Sequence, residues 1–376
     1  MFKEILLKNT KEELFAVTPP GLEEACAAEL LALGLSDARA VAGGVEFAGG
    51  LREIYLANLH SRVASRVLVR LASFKARDFP DLYRKASRLP WGRFLRPDAG
   101  LQTRVTCHHS RLNHSERIAA ALGEAADRAL GREAGPRGGV EQLVLARFEE
   151  DICQLSIDSS GELLHRRGYR GETAQAPLRE NLAAGILLLL GWNGTTPLVD
   201  PLCGSGTFLV EGVWLARRRA PGLERRFAFM DWPGFRPGLW EVLTGEARRA
   251  ELPATPILRG GERDAASLEA ARRNAARAGV AELLELRQEE LADAVAPADS
   301  GLLLCNPPYG KRVGAEEDLR PLYRTLGRVG RERFPGWRLA FLCPDDALAA
   351  ATELPLKRLA RLRNGGIPIT LWGFEG

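Results

Sequence analysis

The stretch from Pro197 to Arg217 limits the possible folds more than any other. Pro197-Leu198-Val199-Asp200 is a short apolar run that stops at an acid, Pro201 to Gly206 turns through two glycines, and Phe208 to Arg217 is apolar at helical spacing. A strand, a glycine-rich turn and a helix make the opening unit of a doubly wound sheet, whose ligands lie over the carboxyl ends of the strands. The turn has no Lys after its last glycine and does not fit G-x-G-x-x-G, which disfavours a phosphate or dinucleotide loop. Further units follow. Pro256 to Gly260 leads into Gly261-Glu262-Arg263-Asp264 and a helix from Ala265 to Ala278, Leu283 to Arg287 precedes Glu289-Glu290, and Gly301 to Cys305 precedes Asn306. Asp200, Glu262, Glu290 and Asn306 therefore fall at the ends of four successive strands.

The fourth strand ends in Leu302-Leu303-Leu304-Cys305-Asn306-Pro307-Pro308-Tyr309-Gly310. Two prolines cannot donate to a ladder, so the chain leaves regular structure there and holds a polar amide at the sheet edge. The exocyclic amine of a nucleobase is a poor nucleophile because its lone pair is conjugated into the ring. An enzyme alkylating it must bind the amine hydrogens in the shape of the transition state. The Asn306 side-chain oxygen and the Pro307 carbonyl are two acceptors suited to this, and Tyr309 offers a ring face for a flipped-out base. No strong base is needed, because the methylated amine cation loses its proton readily. Asn-Pro-Pro-Tyr resembles the signature of amino-methyltransferases that use S-adenosylmethionine. On that resemblance Asp200 takes the cationic amine of the methionyl group. Glu262 binds the ribose hydroxyls, with Asp264 as fallback because the family usually shows Asp there, and Glu290 accepts from the adenine amine. The cofactor set expected is Asp200, Cys203, Gly204, Gly206, Thr207, Glu262, Arg263, Glu290 and Asn306.

At 376 residues the chain is long enough for two full cores. The six cysteines, Cys26, Cys107, Cys153, Cys203, Cys305 and Cys343, form no C-x-x-C pair and have no His at ligand spacing, so neither a zinc site nor any other metal is expected. No apolar run approaches a membrane span, and Met1-Phe2-Lys3-Glu4 lacks the apolar core of a signal peptide, so a cytoplasmic protein without a membrane partner is expected.

The first half reads as a smaller α+β unit. Leu14 to Thr18 and Gly44 to Phe47 are strands flanking a helix from Leu22 to Leu33, and Leu51 to Leu59 is helical. Val67 to Ala72 is a strand, Ser115 to Leu130 a helix, and Leu143 to Phe148 pairs with Ile152 to Ile157. Between Ser61 and Arg117 stand thirteen Lys or Arg against four Asp or Glu, an electrostatic footprint for a polyanion. Trp91 and Phe94, set among these cations, are expected in the core, and His108 and His109 are structural or RNA-facing. Leu164 to Arg170 is a basic linker, either an RNA-facing hinge or a solvated connector. The RNA contacts expected are Arg93, Arg96, Arg111, Arg167 and Arg170, with added positive charge at Arg217-Arg218-Arg219 and Arg225-Arg226.

This order resembles a THUMP domain with its preceding ferredoxin-like segment. With Gly43 to Phe47, Ser61 to Arg66, His165 to Arg170, Asp200 to Thr207 and Asn306 to Gly310, the whole is similar to the THUMP-domain RNA guanine-N2 methyltransferases, the guanine-N2 half of the fused bacterial 23S rRNA enzyme above all. The resemblance implies an α/β class I, Rossmann-like methyltransferase domain with a seven-stranded mixed sheet, one strand of its closing pair antiparallel. Its divisions are a ferredoxin-like segment at 1–60, a THUMP-like domain at 61–165, a linker and helix at 166–190, and the methyltransferase domain at 191–376. It implies methyl transfer to guanosine N2 in 23S rRNA, S-adenosylhomocysteine as product, a single modification because the second methyltransferase half is not in the sequence, and no obligatory protein partner. A tRNA guanine-N2 methyltransferase is the near alternative. An adenine-N6 DNA methyltransferase and a non-catalytic ribosome-assembly factor are the distant ones.

Overall fold

The computed structural model describes residues 11–133, 135, 138–171, 178–309 and 318–376. Gly310 and Pro177, the expected end of the catalytic motif and start of the linker helix, lie outside them.

The first half contains β1 (Glu12–Val17), α1 (Glu23–Ala32), β2 (Arg39–Val41), β3 (Gly44–Gly49), α2 (Leu51–His60), β4 (Arg66–Lys75), α3 (Phe79–Ala86), β5 (Gly100–His108), α4 (Ser115–Ala129), β6 (Glu141–Glu149) and β7 (Ile152–Asp158). All seven strands join one sheet in the order β2-β3-β1-β4-β7-β6-β5. The ferredoxin-like and THUMP-like parts are thus fused through β4, which pairs antiparallel with both β1 and β7. Trp91 and Phe94 are buried core residues, as expected. The basic stretch hides a strand that the charge count does not suggest. In β5, Leu101, Thr103, Val105 and Cys107 turn inward while Gln102, Arg104, Thr106 and His108 face out, an alternation of period two.

The second half contains α5 (Glu180–Leu189), β8 (Leu198–Asp200), α6 (Thr207–Ala216), α7 (Pro237–Arg249), β9 (Leu258–Glu262), α8 (Ala265–Arg277), β10 (Glu285–Gln288), β11 (Leu302–Cys305), α9 (Arg320–Glu332), β12 (Arg338–Cys343), α10 (Asp346–Ala350), β13 (Lys357–Asn364) and β14 (Ile367–Glu375). Its seven-stranded sheet runs β10-β9-β8-β11-β12-β14-β13, with β14 antiparallel to both neighbours. This is the mixed sheet of a class I methyltransferase fold. β11 is continuously apolar because a central parallel strand is covered on both faces, and all four of its residues are buried.

The two halves share one interface. Phe229 and Phe235, from the segment between α6 and α7, and Trp240 of α7 surround Tyr55 of α2, with the Tyr55 and Phe229 rings stacked at 4.4 Å and Phe227 packed behind against Phe229 and Trp240. Trp232 packs edge-on against Phe94, and its indole N–H donates to Gln142 Oε1 at 2.7 Å. Buried side chains of this size contribute about 1.5–3 kcal/mol each, which opposes hinge motion between the halves.

Candidate active site

Adjacent strands bring the expected residues to one edge. β10, β9, β8 and β11 are neighbours, so Asp200 at the end of β8, Glu262 at the end of β9 and Asn306 just after β11 meet at the carboxyl side of the sheet, with Glu290 two residues past β10.

Asp200 is 2% exposed. Its Oδ1 accepts from the Leu202 N–H at 3.1 Å, yet burial, with Glu262 nearby, pushes the carboxyl up to about 8. A desolvated acid with one backbone donor and a second acid beside it is a site waiting for a cation. Glu262 ties the loop to the sheet, because Oε2 accepts from the Gly204 N–H at 3.0 Å and Oε1 from the Asp264 N–H at 2.9 Å. Asp264, the fallback acid, instead caps α8 by accepting from the Ser267 N–H. Gly204 and Gly206 hold φ of +52° and +80°, and a Cβ at Gly204 would project into open space. The loop therefore presents bare backbone to whatever lies over β8. Cys203 lies buried behind it, its thiol pushed up by burial and by the charges of Asp200, Glu262 and Glu289. Thr207 opens α6, buried, while Arg263 and Glu290 are exposed. Glu289, absent from the expected set, is half-buried against β9, since a Cβ on Gly261 would fall 2.8 Å from its Oε1. The doublet Glu289-Glu290 carried that signal without saying which acid turns inward.

Asn306 completes the edge. Its Oδ1 is buried and finds no hydrogen-bond partner among the described residues. An orphaned buried acceptor costs about 1–3 kcal/mol, a cost that an amine donor would relieve. Pro307 is buried beside it. Tyr309 departs from expectation, because it is 3% exposed and its hydroxyl accepts from Asn364 Nδ2 at 3.0 Å. Its ring is not presented to solvent in this conformation, and it braces the motif against β13.

Two of the five expected RNA contacts are corrected. Arg167 has a side chain 1% exposed, pairs with the fully buried Glu211 at 3.5 Å and donates to the carbonyls of Leu164 and Arg62. Arg170 pairs with Glu180 and donates to Thr207 Oγ1 at 2.9 Å. Both are internal ties, so the basic linker is neither an RNA-facing hinge nor a solvated connector at these positions. Arg225 is likewise occupied, donating to the carbonyls of Glu162, Leu163, Leu164 and Arg166, and Arg217 donates to that of Leu252. Arg96 and Arg111 are exposed, and Arg93 is half-exposed and paired with Glu12. Among the described residues no His, Cys, Asp and Glu group is arranged to hold a metal ion, and no helix is long and apolar enough to cross a membrane.

A mixed seven-stranded sheet with a glycine loop after its first strand and a buried acid at the root of that loop defines a methyltransferase that uses S-adenosylmethionine. Comparison with known proteins agrees. Residues 167–372 match the RMKL-like methyltransferase domain, residues 13–68 the RlmL ferredoxin-like domain, and residues 76–158 the THUMP domain. The chain belongs to the RMKL-like methyltransferase family. It is 36% identical over 373 residues to a Synechocystis protein provisionally designated an RNA methyltransferase, covering 97% of each. It is 37% identical over 380 residues to the ribosomal RNA large subunit methyltransferase K/L of Syntrophotalea carbinolica, covering 96% of this chain and 53%, about half, of that one. Among solved structures, a provisionally designated methyltransferase complexed with S-adenosylhomocysteine superposes with a TM-score of 0.90 at 30% identity, covering 98% of this chain and 99% of that one.

Proposed function

We propose that this protein transfers a methyl group from S-adenosylmethionine to the exocyclic N2 amine of a guanosine in large-subunit ribosomal RNA. The observation that carries the reading is the unpartnered, buried Oδ1 of Asn306 at the end of β11, on the same sheet edge as the desolvated Asp200. The residues fit the cofactor. Asp200 would hold the cationic methionyl end, Glu262 the ribose, and the open backbone of Gly204 the space between. When bound, S-adenosylmethionine supplies a methyl on a sulfonium centre and leaves as S-adenosylhomocysteine.

Asn306 Oδ1 and the Pro307 carbonyl accept the two hydrogens of the guanine amine, which turns the nitrogen lone pair toward the methyl donor. Prolines 307 and 308 have no N–H to compete for those acceptors. Tyr309, anchored by Asn364, keeps the motif from relaxing away from the amine. The RNA reading is supported by the THUMP match and by the names of both relatives. The near alternative is the same chemistry on tRNA.

Asn306→Ala tests the assignment. Turnover should fall by about a hundredfold or more, the scale of losing a donor or acceptor fitted to the transition state, while cofactor affinity by calorimetry stays near wild type. A variant that keeps full turnover would remove Asn306 from the chemistry.

A further inference from the structure

The strand at the edge of the catalytic sheet joins the front half of the molecule to the catalytic motif. A Cβ on Gly21, in the turn after β1, would fall 2.2 Å from the carbonyl oxygen of Arg361 in β13, so the front half rests directly on that strand. Three residues further on, Asn364 bonds the hydroxyl of Tyr309. Between these two anchor points the pleat alternates. Leu362 and Asn364 are buried, whereas Arg361 and Arg363 stand exposed together on the opposite face.

Elsewhere in β13, Arg358 is occupied by Asp346 and lies over the Trp372 ring. No ion pair holds Arg361 or Arg363 among the described residues, although the chain pairs so many of its other arginines. Outward charge on an edge strand also prevents strand addition by another chain, the plain explanation for such residues. That explanation does not account for two guanidiniums without an ion pair among the described residues on a strand that touches both the Gly21 turn and Tyr309. Residues two apart in a strand stand about 6.8 Å apart, a spacing at which two guanidiniums can engage successive phosphates of one nucleic-acid strand.

We propose that Arg361 and Arg363 form a phosphate clamp that holds the RNA backbone beside the target nucleotide, on the path between the front half and Asn306. The clamp rests on the RNA reading above. It carries no base specificity, because phosphate contacts set register and orientation while the sequence is read elsewhere.

The test uses the full chain with an unmodified transcript of large-subunit rRNA. Arg361→Gln/Arg363→Gln should raise KM for RNA about tenfold and lower the slope of log affinity against log salt by about 1.4–1.8, the loss of two phosphate contacts. Arg361→Lys/Arg363→Lys should restore most of the slope. Unchanged S-adenosylmethionine affinity in both variants would show that the cofactor domain is intact. A double Gln variant with wild-type KM and salt slope overturns the clamp and leaves the two charges as edge protection. A wild-type chain that neither binds nor methylates the transcript, nor tRNA, overturns the RNA reading and the clamp with it.

Discussion

Replacing Asp200 with Asn should make the cofactor-free protein more stable and the cofactor weaker. The Asn keeps an Oδ1 to accept from the Leu202 N–H and has nothing to ionise. In the wild type, burial pushes Asp200 up to about 8, whereas in the unfolded chain it titrates near 3.9. The sign follows from that direction. Stability contributed by the protonated acid is complete below about pH 4 and is lost as the pH rises through about 8. At pH 7 roughly three pH units separate the solution from the unfolded value, so at about 1.4 kcal/mol each the desolvated acid costs the folded protein at most ~4 kcal/mol. Urea denaturation without cofactor should therefore show Asp200→Asn gaining on wild type between about pH 5 and pH 8. Calorimetry should show S-adenosylmethionine binding weakened at least about thirtyfold, the ~2 kcal/mol lower bound for losing one partner of a buried charge pair. In the wild type, cofactor affinity should rise with pH up to about 8, because only the carboxylate pairs with the cation. A pH-independent stability difference together with undiminished cofactor affinity would refute Asp200 as the desolvated cation partner.

Other consequences are as direct. Arg167→Met removes the guanidinium paired with the fully buried Glu211 and should cost about 3–5 kcal/mol, read as a fall in midpoint by urea denaturation, whereas Arg96→Met, on the surface, should cost almost nothing. Gly206→Ala forces a side chain onto a φ of +80° with its Cβ 3.3 Å from that of Ala271. About 1–3 kcal/mol of strain should lower the urea midpoint, and the shifted loop should weaken cofactor binding by calorimetry; a variant unchanged in both would show that the turn tolerates a side chain.

Much of this site was legible in the chain itself. Asn306 could be placed at a strand end because two prolines follow it, a local rule that no tertiary contact overrides. Asp200 and Glu262 were legible because parallel strands end at one edge of a sheet, so residues 62 positions apart become neighbours by topology alone. The arginines were not legible. Arg167 looks like one more charge in His-Arg-Arg-Gly-Tyr-Arg, and only the fold brings Glu211, 44 residues away, into its reach. Its neighbour Arg166 stays exposed, paired with Glu162, so adjacent residues of one kind serve opposite purposes. The bond from Asn364 to the Tyr309 hydroxyl was not legible for the same reason, since Asn364 lies 55 residues further on. β5 could have been found from its strict alternation, which the count of basic residues obscured.

The most direct test of the central claim is transfer of labelled methyl from S-adenosylmethionine into separated, unmodified large-subunit rRNA and tRNA, with the product nucleoside identified by mass spectrometry. The account predicts N2-methylguanosine in the rRNA and none in the tRNA. Label in tRNA alone would keep the mechanism and replace the substrate, and a product methylated anywhere but a guanosine N2 amine would contradict the account.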